Sequence, residues 1–195
     1  MAMANIMGES DRSSLDFVRH VRRAFAFLAE LGFSEIEALQ TLVRYRKGQV
    51  GVDVYHGRQS YELGVDVSAF GTQCTISEII RVEDPEAEER FRYPAATTSE
   101  GVVVGLDELG SLMKRYGRLA LDGDPKFFSK LEDQRAAWAK EYALDVLARQ
   151  LRPQANEAFR KGDYAAAADL YSRILKRLSP AELKKLDIAE SRRNS

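Results

Sequence analysis

The side chains that could do chemistry are concentrated between residues 39 and 67, in LQTLVRYRKGQVGVDVYHGRQSYELGVDV. Alternation places Asp53 and Glu62 on one face of a hairpin, directly opposed, where like charges destabilise the pairing. Three arrangements would relieve that repulsion. Arg44 on the adjacent strand could pair with the carboxylates. A divalent cation could bridge them; an enzyme or metal-dependent hydrolase would then use Asp53 and Glu62 with either His56 or that cation. Basic groups of a partner protein could also meet them. A paired-carboxylate hydrolase needs one raised pKa in an apolar cleft, and a flat, open sheet does not supply one. The two histidines, His20 and His56, lie at no metal-ligand spacing, and His56 reads as a solvent-exposed turn residue. Asp122-Gly123-Asp124 lacks the further oxygens and closing glutamate of a calcium loop and reads as a helix cap. No phosphate loop, dinucleotide fingerprint, nucleophile elbow or zinc-protease motif occurs, so no catalytic residue, metal ligand or cofactor is assigned.

Composition narrows the classes further. The 195 residues are 45% hydrophobic and 30% charged with a net charge of -1, which describes a globular chain and nominates no polyanionic partner. No apolar run approaches the roughly 20 residues of a membrane span, and no basic flank precedes an apolar segment near the start. A cytoplasmic protein is expected. The single cysteine, Cys74, rules out an internal disulfide framework and reads as a buried filler. The segment from Arg173 to Arg193 carries Arg173, Lys176, Arg177, Lys184, Lys185, Arg192 and Arg193. Such a stripe could neutralise phosphates, but a solvated helix with cations at its C-terminal end has the same composition.

The elements that must position these groups follow from spacing. Residues 1–12 have no period and read as a disordered arm. Leu15, Phe17, Val21, Ala24, Phe25, Leu28 and Leu31 recur at helical spacing, with Ser13 or Ser14 as N-cap and Gly32 as terminator. Lys47-Gly48 and Gly57-Arg58 read as two-residue hairpin turns of a three-stranded antiparallel meander. That register puts Val43, Tyr45, Val50, Val52, Val54, Tyr61, Leu63 and Val65 on one face. The other face carries Leu42, Arg44, Arg46, Asp53, Tyr55, Ser60, Glu62 and Asp66. Residues 72–82 suit a short helical turn, and residues 91–96 a connector. Thr98 or Ser99 caps a helix with the stripe Val102, Leu106, Leu109, Met113 and Tyr116. Asp124-Pro125 starts a long helix whose buried side is marked by Phe128, Leu131, Trp138 and Tyr142, and Pro153 should end or kink it near Arg152. The fold class is α+β: an N-terminal helix on the meander (13–96) and an all-helical layer (97–195), packed as one unit.

Near the end, Ala155, Phe159, Gly162, Asp163, Tyr164, Ala167, Tyr171 and Ile174 form AxxxFxxGDYxxAxxxYxxI, which resembles a single tetratricopeptide repeat, with Pro180 opening a third helix. One copy cannot form the concave groove of an array, so the hairpin reads as packing architecture. VYHGRQSYELGVDV, SEII and RPQANEAFRKGDYAAAADLYSRILKRLSPAELKKL together resemble a family of small uncharacterised bacterial cytoplasmic proteins, over residues 20–193. That resemblance carries no catalytic residues. By analogy with immunity factors that accompany polymorphic toxins, it implies a protein partner, a toxin among the candidates. The expected function is therefore non-enzymatic protein binding, as an immunity or adaptor protein, through a polar sheet face centred on Arg44, Arg46, Asp53, Tyr55 and Glu62. The alternatives are the Asp53/Glu62 hydrolase and nucleic-acid binding by the basic C-terminal helices.

Overall fold

The computed structural model describes residues 13–193, so the expected arm at 1–12 lies outside the described residues. The described residues divide into two compact units, one up to Leu131 and one from Glu132. The division falls inside a helix.

The first unit opens with a 3-10 turn, Ser13–Leu15, then α1 (Phe17–Ala24) and α2 (Phe27–Glu30), with Gly32 in the left-handed region as terminator. The predicted single helix is thus broken around Phe25-Ala26. Its apolar stripe survives, since Phe17, Val21, Phe25 and Leu28 are all buried. On its outer face Arg22 donates to both oxygens of Glu35 at 2.9 and 2.6 Å, and Arg23 to both of Asp107 at 2.8 and 2.6 Å.

Five strands follow as a continuous antiparallel meander in the order β1 (Ser34–Leu39), β2 (Leu42–Lys47), β3 (Val50–His56), β4 (Leu63–Ala69) and β5 (Thr72–Thr75). The expected three strands are the middle ones. β1 escapes notice because it is an exposed edge with a bulge between Glu35 and Glu37 and no alternation of burial. β5 is short and runs directly into α3 (Ile76–Glu83), whose N-terminus is a capping box: Thr75 Oγ1 accepts from the Glu78 amide while the Glu78 carboxylate accepts from the Thr75 amide.

The two hairpin turns also differ from expectation. The first loop is Gly48-Gln49, so Tyr45 opposes Val52 rather than Val50. The second spans residues 57–62, so Val52 opposes Val67 rather than Leu63. These slips are of two and four residues. Because side chains alternate with period two, an even slip leaves every residue on its face. Val43, Tyr45, Val52, Val54, Val65, Val67 and Cys74 therefore all enter the core as the alternation requires. Tyr61 is the exception, leaving the strand for the loop with φ 55°.

The core is closed by α3, α4 (Pro85–Arg90), α5 (Ser99–Tyr116) and α6 (Arg118–Leu121). Thr98 caps α5 by accepting from the Gly101 amide, and Val102, Leu106, Leu109 and Met113 are fully buried, as their stripe predicts. At Gly110 a β-carbon would stand 2.8 Å from the Ala24 carbonyl, so only glycine lets α5 come this close to α1.

α7 (Pro125–Lys161) begins at the Asp124 cap, whose Oδ1 accepts from the Lys126 and Phe127 amides. Phe128 and Leu131 are buried, but Trp138 and Tyr142 are 62% and 69% exposed, contrary to the expected buried side. Nor does Pro153 end the helix. Around it, the Gln150 and Arg152 carbonyls also accept from the side-chain amides of Gln154 and Asn156.

In the second unit α8 (Tyr164–Arg173) is capped by Asp163 after Gly162 at φ 80°, and α9 (Pro180–Arg193) starts at Pro180. Ala155, Ala167, Ala168, Tyr171, Leu186 and Ala189 form its core, and the small residues let these helices close on the Tyr171 ring. The Tyr171 hydroxyl donates to Asn156 Oδ1 at 2.9 Å, which also accepts from Lys185 at 2.6 Å.

Candidate functional site

With the valines of the inner strands committed to the core, the alternate residues of the sheet form a second, mostly polar surface. Its central row crosses all five strands in register: Glu37, Arg44, Asp53, Asp66 and Thr75. Arg44 bonds both acidic neighbours, Nη1 to Glu37 at 2.6 Å and Nε to Asp53 at 3.3 Å. It keeps 41% of its side chain exposed. The internal arginine considered from sequence therefore does pair with Asp53. An ion pair this exposed contributes on the order of 0.2–1 kcal/mol.

Asp53 does not face Glu62. It is directly opposite Asp66, while Glu62 lies before β4 and makes an isolated bridge to Ala95. The cause is the six-residue loop: lengthening it moves Glu62 out of the ladder and brings Asp66 to the position expected of Glu62. Asp66 accepts from Gln73 Nε2 at 2.8 Å. Burial pushes its carboxyl above the usual range, the Gln73 hydrogen bond pulls it back, and Asp53 and Glu78 add to the rise. Among the described residues the Oδ1 atoms of Asp53 and Asp66, both buried, have no hydrogen-bond partner, an uncommon state that calls for a physical reason.

The rows on either side are flattened by glycine. A β-carbon on Gly64 would lie 2.3 Å from the Tyr55 ring, and one on Gly51 1.7 Å from Arg46 Nη1. Tyr55 and Arg46 therefore lie down on their cross-strand neighbours instead of standing off the sheet. Burial raises the Tyr55 hydroxyl pKa strongly, with Asp66, Tyr93 and Glu62 adding to it, so the phenol stays protonated and can donate. Arg46 donates to Ser68 Oγ at 3.1 Å.

Beside the central row a depression of about 530 Å³ opens over β3, β4 and β5, lined among others by Arg46, Asp53, Asp66, Ser68, Phe70 and Gln73. Phe70, in the β4–β5 turn, is 62% exposed with φ 54°.

Of the expected centre, Arg44, Arg46, Asp53 and Tyr55 share this face, and Glu62 stands off the strand. Asp66 and Gln73 were not singled out. A signal for Asp66 existed, because GVDV occurs twice, at 51–54 and 64–67. Pairing the copies antiparallel about their aspartates puts both pairs of valines on the core side.

Several of the other candidate groups have structural partners. His56 is buried, not exposed, because the longer loop lets β3 run on to it and its even position faces inward. It stacks at 6.0 Å on Phe17, and its Nε2 lies 2.8 Å from the Ala96 carbonyl. In the basic tail, Arg177 pairs with Glu141 and Asp145, Lys185 with Asn156, and Arg192 with the Tyr164 hydroxyl. Among the described residues no group of three or more His, Cys, Asp or Glu side chains could hold a metal ion. No helix of the described residues is long and apolar enough to cross a membrane. Compared with known proteins, the chain matches no family model, no curated protein and no solved structure.

Proposed function

We propose that this protein is a non-enzymatic binding module that docks on another protein through the polar sheet face, in the manner of an immunity or adaptor protein. The observation that supports this most is the division of labour in the sheet. One face is committed to the core, and the other presents charges of both signs, with Arg44 and Tyr55 near its middle. Arginine and tyrosine dominate the energetics of many interfaces. Mixed charge confers selectivity and fast association.

The test is affinity capture from the native host's lysate with the wild type, Arg44→Glu and Tyr55→Ala, and with Lys184→Glu on the second unit as a surface control. The expected result is a protein recovered by wild type and control and lost by both sheet variants, each checked for folding by circular dichroism. Equal recovery by all four, or none by the wild type, would overturn the reading.

A further inference from the structure

Between Glu132 and Ala143 every residue of α7 except Gln134 is exposed, so the helix runs bare for roughly three turns. Ala136, Ala137, Ala139 and Ala143 help to hold such a stretch helical by propensity. They do not account for Trp138 and Tyr142, which stand mostly exposed one turn apart on the same side. Large aromatic side chains concentrate where one surface meets another, because each removes much apolar area from water on contact. Further along, the helix enters the core of the second unit through Ala148 and Leu151. By helical periodicity the aromatic stripe points roughly a third of a turn away from that side. The core of its own unit therefore leaves it open.

The order of residues along the stripe says what covers it. Arg135, Trp138, Tyr142 and Asp145 follow one another at spacings of three, four and three, the seam spacing of a coiled coil. In that order the stripe is its own complement. A second copy turned end for end about a two-fold axis level with Lys140 sets Arg135 against Asp145 and Trp138 against Tyr142, and then the same pairs with the roles exchanged. A parallel copy would set Arg135 on Arg135 and Asp145 on Asp145, so charge selects the antiparallel orientation. On one flank of the axis Ala139 would face its own copy, and its small side chain admits a close approach. On the other flank Glu141 would face Glu141, and there the Arg177 guanidinium, paired with both Glu141 and Asp145, supplies the cation. Asp145 keeps 49% of its side chain exposed beside Arg177, which leaves room for a second donor.

We propose that the exposed middle of α7 is the interface of a homodimer, an antiparallel helix pair with two-fold symmetry, with Trp138 on Tyr142 at its centre and Arg135 on Asp145 at both ends. A contact this short is at the low end of interface size, so a weak dimer with a Kd of about 1–100 µM is expected. It uses the second unit alone and is independent of the sheet-face reading.

The test is sedimentation equilibrium of the full chain from about 1 µM to 1 mM, with each variant checked for folding by circular dichroism. The wild type should dimerise with concentration, and Trp138→Ala, which alters an exposed side chain, should raise the Kd at least about tenfold. Arg135→Asp and Asp145→Arg, each alone, set like charges together at both ends and should weaken the dimer as much. An equimolar mixture of these two should recover it, because each end of the mixed dimer then joins an acid to an arginine. If Asp145→Arg loses helical signal with its contact to Arg177, the Trp138→Ala and Arg135→Asp results decide. A monomer throughout the range, a dimer that either of those variants leaves unchanged, or a mixture of two folded variants no tighter than each alone, would overturn the proposal.

Discussion

Replacing Asp66 by asparagine should stabilise the first unit, and the size and pH dependence of the gain follow from the row it belongs to. Asp66 and Asp53 are directly opposed on β4 and β3, and each has one buried oxygen without a donor. Like charges so placed cost roughly 0.2–1 kcal/mol. The asparagine would keep an oxygen for Gln73 and lose the charge, so a gain of about 0.5–1 kcal/mol is expected at pH 7 and low salt. The sign with pH is fixed by the direction of the shift. Asp66 is held above its ordinary range when folded. Between the unfolded and the raised folded pKa the native state binds the extra proton, and the stability this group contributes is lost as pH rises through that window. Below about pH 3 the carboxyl is protonated in both states, and the gain from asparagine, already smaller at pH 4 than at pH 7, should vanish. Hydrogen exchange of the Val52, Val54 and Val65 amides reads this unit without interference from the other. At pH 7 it should slow by about two- to fivefold in the variant, and by much less in an Asp53→Asn background, where the repulsion is already gone. Faster exchange, or the same gain at pH 4 and pH 7, would refute the reasoning.

Further outcomes are expected elsewhere. The Tyr45 hydroxyl is buried without a partner and its pKa is pushed up to about 12 by burial, with Glu35 adding to the rise. Tyr45→Phe should therefore be neutral or stabilising by up to about 1 kcal/mol in denaturant melts. The stability wild-type Tyr45 contributes should fall as pH rises from about 10 toward 12, a slope absent from the variant. Thr75→Ala removes the capping box of α3 and should cost about 1 kcal/mol in the same assay. Asn156→Ala deprives the buried Tyr171 hydroxyl of its acceptor and should destabilise the second unit by about 1–3 kcal/mol, read by thermal melting at a helical signal. Cys74, fully buried with its thiol 3.4 Å from the Val67 carbonyl, should react with a thiol reagent only at the rate at which the sheet opens.

Much of the architecture was legible because it depends on local rules. The α5 stripe, the Asp124-Pro125 start, the turn at Gly162 and the start of α9 at Pro180 are capping and periodicity signals, each complete within a few residues. Assignment of Arg44, Arg46, Asp53 and Tyr55 to one face needs only the parity of alternation, and it survived slips of two and four residues in the turns. β1 was not legible, because an edge strand with a bulge gains its order from Arg22, Arg44 and the β2 backbone rather than from an alternation of its own. Neither was the exposure of Trp138 and Tyr142, since an apolar period on a helix says where a buried side would be and not whether anything covers it.

The sequence by itself determined which residues share a face, where most helices begin and which side chains could form a core. All of these are set by backbone periodicity and by hydrogen bonds between near neighbours. Only the tertiary structure decided which residue stands opposite which. Whether Asp53 meets Glu62 or Asp66 turns on a loop of two residues or six. Many loop lengths are compatible with the same alternation, and packing of the valines of β3 and β4 against the helices selects among them. The charge left without a partner on the sheet, and with it the chemistry of the face, is a consequence of that choice.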